Sequence, residues 1–181
     1  TELLYVDFSK GAFELGGSSL AQVLDKIGNN APDVKDAAYF KNCFNTIQKL
    51  IEEGLIVAGH DVSAGGLITT LLEMTFANCE GGLNIDLSAF NNNDLISVAF
   101  SEQPAVVIQI NDAKAKEILA NNNIDFVVIG KPQDKREITL TKDNETYNLD
   151  INALRDVWYK SSYLLDIRQT GKAKATERFE N

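Results

Sequence analysis

The 181-residue sequence predicts an α/β domain, an α+β-layered arrangement in which helices flank a mixed sheet. Three observations carry that expectation. Short apolar runs, several rich in β-branched residues, alternate with segments whose apolar residues recur at three- and four-residue spacing. The switches between the two periods are marked mostly by Gly, Pro, Asn, Asp or Ser. Apolar residues make up 44% of the chain, close to the globular average, so a packed core is expected rather than disorder.

The elements follow in order. Residues 3–8, LLYVDF, read as a buried strand closing on Asp7. Gly11, Gly16 and Gly17 make a flexible loop, and Ser18 or Ser19 can cap a helix that starts near Leu20. Residues 31–54 read as a longer helix, with Phe40, Phe44, Ile47, Leu50 and Ile51 at helical spacing and Gly54 as its stop. Residues 55–61, LIVAGHD, are a strand ending at Asp61. Residues 63–82 are a mostly apolar helix closed by Gly81 and Gly82, and LNIDL is the next strand. Residues 89–104 are a polar connector with an apolar second half. Residues 105–110, AVVIQI, form the clearest strand. A helix over 111–123 has Asn111 or Asp112 as cap. The strand at 124–132 is expected to stop at Gly130 and Pro132. Residues 136–151 alternate around Asp143-Asn144 and read as a hairpin. From Asn152 a helix runs into a polar, charged tail that reads as a linker or docking segment, so the expected division is 1–151 and 152–181.

Charge and composition exclude several classes. A net charge of −9 with scattered Lys and Arg offers no basic face for phosphate backbones, so no nucleic-acid partner is expected. Cys43 and Cys79 are isolated, which suggests neither a zinc site nor a disulfide, and both are expected to be buried free thiols in a reducing cytoplasm. No apolar run approaches the ~18 residues a membrane span needs, and no signal peptide opens the chain. The sequence opens on Thr1 inside strand-like residues, which suggests a piece of something longer.

Two glycine turns are the candidates for chemistry. In SKGAFELGGSSLAQV, Gly16, Gly17, Ser18 and Ser19 open a helix, whose free N–H groups and partial positive charge suit a phosphate or carboxylate. The lysine of a phosphate-binding Walker loop is missing, and an ordinary Ser-capped loop stays open as an alternative. In GHDVSAGGLITTLLEM, Asp61 ends a strand while Ser63, Gly65 and Gly66 begin a helix, at the kind of strand end where α/β sheets collect ligands. His60 there either supports the site or is merely hydrogen-bonded. The pair of turns suggests convergence on one anion. Glu102, in FSEQP, precedes the clearest strand and is placed to face a cleft. Glu73 is expected on its helix's polar stripe, and Trp158, Tyr159 and Tyr163 against a neighbouring surface.

Three motifs in order, LGGSSLAQ, HDVSAGGL and FSEQP, resemble those of phosphoribosylformylglycinamidine synthases over residues 3 to 165. The chain is similar to the second of that family's domains of the type shared with the C-terminal half of aminoimidazole ribonucleotide synthetase. The resemblance implies a glutamine-dependent carbon–nitrogen ligase of purine biosynthesis. That family turns formylglycinamide ribonucleotide into formylglycinamidine ribonucleotide with ATP, which activates the amide oxygen before ammonia displaces phosphate. It implies further that Gly16, Gly17, Ser18, Ser19, Asp61, Ser63 and Gly65 surround a phosphorylated ligand, with His60 and Glu102 in support and no catalytic or metal-binding residue in this chain. ATP and magnesium would be bound mostly by preceding synthetase-like domains, and residues after 152 would lead toward a glutaminase domain. One departure stands out: Ala64 replaces the family's commoner Asp, which leaves open an auxiliary nucleotide site that is not catalytic. A related aminoimidazole ribonucleotide synthetase, or a thiamine-phosphate or selenophosphate kinase, is the alternative. A third possibility is a structural module whose exposed apolar face pairs two copies.

Overall fold

The computed structural model describes residues 1–91 and 93–180; Asn92 of the expected connector and Asn181 of the expected tail lie outside the described residues. The elements are β1 (Glu2–Asp7), α1 (Ser19–Val23), α2 (Ala37–Glu52), β2 (Ile56–Asp61), α3 (Gly66–Phe76), β3 (Gly82–Asp86), α4 (Leu95–Phe100), β4 (Ala105–Ile110), α5 (Lys114–Asn121), β5 (Phe126–Gln133), β6 (Glu137–Lys142), β7 (Glu145–Asp150), α6 (Ile151–Thr170) and α7 (Lys172–Glu180). Seven strands form one sheet in the order β2-β4-β1-β5-β3-β6-β7. Its ladders are antiparallel except for β3 beside β6, so the sheet is mixed, as the alternation predicts.

Both faces of the sheet are covered, which explains the nearly unbroken apolar runs of its central strands. Successive β1 residues point to opposite faces: Leu3 and Tyr5 join the cluster under α3, while Leu4 and Val6 join the cluster under α2 and α5. On the α3 side Leu67, Leu71 and Ile151 are fully or almost fully buried. On the other side Cys43, Leu50 and Leu119 are fully buried. Each such leucine contributes about 1.5–3 kcal/mol of apolar transfer free energy.

Several expectations are corrected. In α2 the buried stripe is Tyr39, Cys43, Ile47 and Leu50, whereas Phe44 and Ile51 are half exposed. The helix is apolar over more than one face, and the flat sheet covers only the stripe beneath it. The connector contains α4, capped by Asp94, whose Oδ1 accepts from Ser97 N at 2.9 Å. β5 runs through Gly130 and Pro132 because it changes neighbours there: its first part pairs with β1 as far as Gly130, and its end pairs with β3. Pro132 therefore lies beyond the last β1 pair. At α5 neither Asn111 nor Asp112 is the cap; that position is Ala113, although Asp112 Oδ1 accepts from Lys114 N at 2.9 Å. The helix expected from Asn152 forms as α6, and the polar end beyond it is helical too: α7 folds back on α6, joined by the Asp166–Arg178 ion pair at 2.7 Å and the rings of Tyr163 and Phe179. Cys43 is a buried free thiol as expected, but Cys79 is exposed because α3 ends at Phe76. The hairpin forms as expected, with Asp143 in the left-handed region at φ 55°.

Candidate functional site

The first turn closes through its own backbone. Gly16 N donates to Asn30 O at 2.7 Å, Gly17 N to Ile27 O at 2.8 Å and Ser18 N to Leu15 O at 3.2 Å. Gly16 is required by proximity, since a Cβ there would stand 2.4 Å from the Asn30 carbonyl oxygen. Ser18 is buried and caps α1: its Oγ accepts from Ala21 N at 3.2 Å and donates to Leu15 O at 2.7 Å. The N–H groups of Gly16, Gly17 and Ser18 are thus already engaged, and Ser19 is the residue whose donors face outward from the loop's own network.

The second turn leans on its neighbours. Asp61 closes β2; its carbonyl accepts from Thr70 Oγ1 at 3.0 Å and from His60 Nδ1 at 2.8 Å. His60 Nε2 lies 3.4 Å from Glu73 Oε2, and Glu73 Oε1 accepts from Trp158 Nε1 at 2.9 Å. Glu73 of α3 is thus tied to α6 through Trp158, and the His60 ring of β2 packs beside its carboxylate, a supporting geometry. The Asp61 carboxylate is 73% exposed, and Ser63 and Ala64 are exposed beside it. Gly66, at φ 73°, lies so close to α4 that a Cβ would come within 2.7 Å of the Phe100 backbone.

That close approach brings in residues 101–103, where the two turns meet. Glu102 Oε1 accepts from Ser19 N at 2.7 Å and from Gly65 N at 2.8 Å. Burial raises the Glu102 pKa, but the N–H groups of Gly65 and Ser19 and the Ser19 hydroxyl outweigh it, so the carboxyl is held below the ordinary glutamate range. On one side Ser101 Oγ donates to Glu14 O at 2.9 Å. On the other, Gln103 Nε2 donates to Asp7 Oδ1 at 2.8 Å, an oxygen that also accepts from Ser9 N and Ser9 Oγ. One tripeptide therefore ties the end of β1, the loop before α1 and both glycine turns together.

The structure brings Ser19, Gly65 and Glu102 into direct contact; Gly16, Gly17 and Ser18 shape the loop behind Ser19, and Asp61 and Ser63 lie on the second turn's exposed side. Sequence reasoning missed Asp7 and Gln103 as partners. The signal for Asp7 was local, a strand-ending Asp two residues before Ser9; for Gln103 there was none, because its partner is 96 positions away. Among the described residues, no group of three or more His, Cys, Asp or Glu side chains is placed to hold a metal ion. Val23, Leu24 and Ile27, just past the first turn, are exposed, as are Trp158, Leu164 and Leu165 of α6. No helix among the described residues is long and apolar enough to cross a membrane.

Comparison with known proteins sets this geometry in a family. Residues 9–143 match the AIR synthase related protein, C-terminal domain. The chain is 40% identical over 168 residues to a probable chloroplastic/mitochondrial phosphoribosylformylglycinamidine synthase of Arabidopsis thaliana, covering 91% of this chain and 12% of that protein. It is 32% identical over 200 residues to the phosphoribosylformylglycinamidine synthase of Dictyostelium discoideum, covering 99% of this chain and 15% of that one. The chain thus spans about an eighth of the length of these curated relatives. Among solved structures, Thermotoga maritima PurL complexed with FGAR superposes with a TM-score of 0.66 at 17% identity, over 84% of this chain and 27% of that one. The same protein complexed with ATP gives 0.63 at 16% identity, over 84% and 25%. These structural likenesses show a shared fold. The family match covers three quarters of the sequence and includes both glycine turns and the segment that joins them, and on that ground the chain belongs to the AIR synthase related protein, C-terminal domain family.

Proposed function

We propose that this chain is a ligand-binding domain of a phosphoribosylformylglycinamidine synthase, the ATP- and glutamine-dependent ligase of purine biosynthesis. The 40% identity to the Arabidopsis relative along 91% of the chain carries this reading. In it, the surface around Ser19, Asp61, Ser63 and Gly65, shaped by Gly16, Gly17 and Ser18 and supported by His60 and Glu102, forms one wall of a cleft for a phosphorylated ligand. Formylglycinamide ribonucleotide is the first choice, and ATP with magnesium sits mostly on other domains of the enzyme. The exposed apolar residues Val23, Leu24 and Ile27 support a neighbouring synthetase-like domain packed beside the first turn, and those of α6 a contact toward the glutaminase part. In isolation the same faces pair two copies, which light scattering tests. Cytoplasmic location belongs to this reading as well.

The test uses the full-length enzyme carrying Asp61→Ala together with Ser63→Ala. Both side chains are exposed, so the fold survives. The expected result is a rise of about tenfold in the KM for formylglycinamide ribonucleotide, the loss of ~1.4 kcal/mol of binding. Unchanged binding and turnover would overturn the site assignment. A second reading, an auxiliary site that is not catalytic, is favoured by Ala64 and by the internally engaged N–H groups of Gly16, Gly17 and Ser18. In that case the double variant changes nucleotide retention and thermal stability but not the KM.

A further inference from the structure

We propose that Glu102 is a positioning residue: its carboxylate acts as a built-in anion that fixes the spacing of the two glycine turns by accepting an N–H from each. The tether stands on geometry alone; only its consequence for substrate rests on the proposed function.

A single oxygen, Oε1, takes both bonds, so the two donors must lie within a few ångströms of each other although Ser19 and Gly65 come from different parts of the chain. α1 has five residues and little hydrogen bonding of its own, so its first turn needs an external partner. The N-cap position of α3 is Gly65, which has no side chain, and Glu102 holds the start of the helix by accepting from that residue's own backbone N–H. The glutamate is not free to swing away. Ser101 is hydrogen-bonded to Glu14 on one side and Gln103 to Asp7 on the other, and both residues are buried. The Phe100 backbone rests against Gly66, which sets the main chain at the distance the side chain spans. Ionisation strengthens both bonds, because a charged acceptor forms shorter and stronger hydrogen bonds than a neutral one.

The spectroscopic signature is a shared titration. In 15N-resolved NMR spectra of the 181-residue chain, the amide protons of Ser19 and Gly65 are expected to move upfield together as pH falls, with one common midpoint below the ordinary glutamate range. In Glu102→Gln both titrations vanish, while the neutral amide oxygen still accepts and keeps the fold. Separate midpoints, or titrations that persist in Glu102→Gln, would overturn the tether. A second measurement uses Glu102→Ala, which leaves the two donors facing a space the size of a carboxylate. Its melting temperature is expected to fall by about 5 °C and to recover in part with acetate, which has no such effect on the unsubstituted chain. Equal response of both proteins to acetate counts against the proposal. Finally, in the full-length enzyme Glu102→Gln is expected to raise the KM for formylglycinamide ribonucleotide several-fold with a smaller change in kcat. If the NMR coupling holds and the KM does not move, the tether stands and the reading of the turns as a substrate wall falls.

Discussion

The two glycine turns open helices in the same domain, yet they are built on opposite plans. The Gly16–Gly17–Ser18 turn is closed by its own loop: three backbone N–H groups bond to carbonyls within 14 residues, and Ser18 supplies the cap. The turn from Asp61 to Gly66 has an internal bond from Gly66 N to Ser63 O, but depends on groups far away, Glu102 at Gly65 and the Phe100 backbone against Gly66. A locally closed turn keeps its shape if distant residues change, whereas the second turn exists in this form only while the α4–β4 junction is in place. Glu102 couples the two, so the first turn's position, though not its internal shape, also answers to that junction.

This contrast yields graded predictions. Gly66→Ala strikes the second turn where a Cβ meets main chain that cannot yield, and about 3 kcal/mol or more of stability is expected to be lost, measurable by denaturant unfolding. Gly17→Ala, at a similar positive φ but with nothing within 4 Å of the added Cβ, is expected to cost only about 1–2 kcal/mol. Equal losses at the two positions would erase the distinction between local and borrowed closure. Glu102→Ala removes a charged acceptor from two N–H groups and is expected to cost about 2 kcal/mol. Its pH dependence sharpens the point. Because the folded pKa is lowered, the carboxylate's stabilisation is present above the unfolded value and is lost as pH falls through the folded one. Between the ordinary glutamate range and that lower value, the stability of Glu102→Gln should fall less steeply with acid than that of the unsubstituted chain. Ser18→Ala, a change inside the self-closed turn, is expected to cost about 1 kcal/mol and to leave the Gly65 amide resonance in place. Trp158→Phe, which removes the α6 donor to Glu73, is expected to cost about 0.5–1.5 kcal/mol and to free the His60–Glu73 pair.

Much of the fold was legible because it rests on local periodicity. β4 lies where AVVIQI stands, and the Asp143-Asn144 hairpin forms where the alternation places it. Legibility failed where tertiary contacts decide. Phe44 and Ile51 have the spacing of core residues but face away from the sheet, and Pro132 looks like a strand stop until β3 is seen to flank β5 there. The site divides the same way. The composition of both turns and the position of Glu102 before β4 could be read in one dimension. That Glu102 would accept from both turns at once could not.

The sequence by itself determined the alternation of elements, the glycine turns and the family motifs, since each depends on residues within one turn of helix or a few steps of strand. Only the tertiary structure decided strand order, which helix face is buried, and the meeting of Ser19, Gly65 and Glu102. Those depend on contacts across 37 to 83 positions, and no local rule constrains a distance between residues that only the packed sheet brings together.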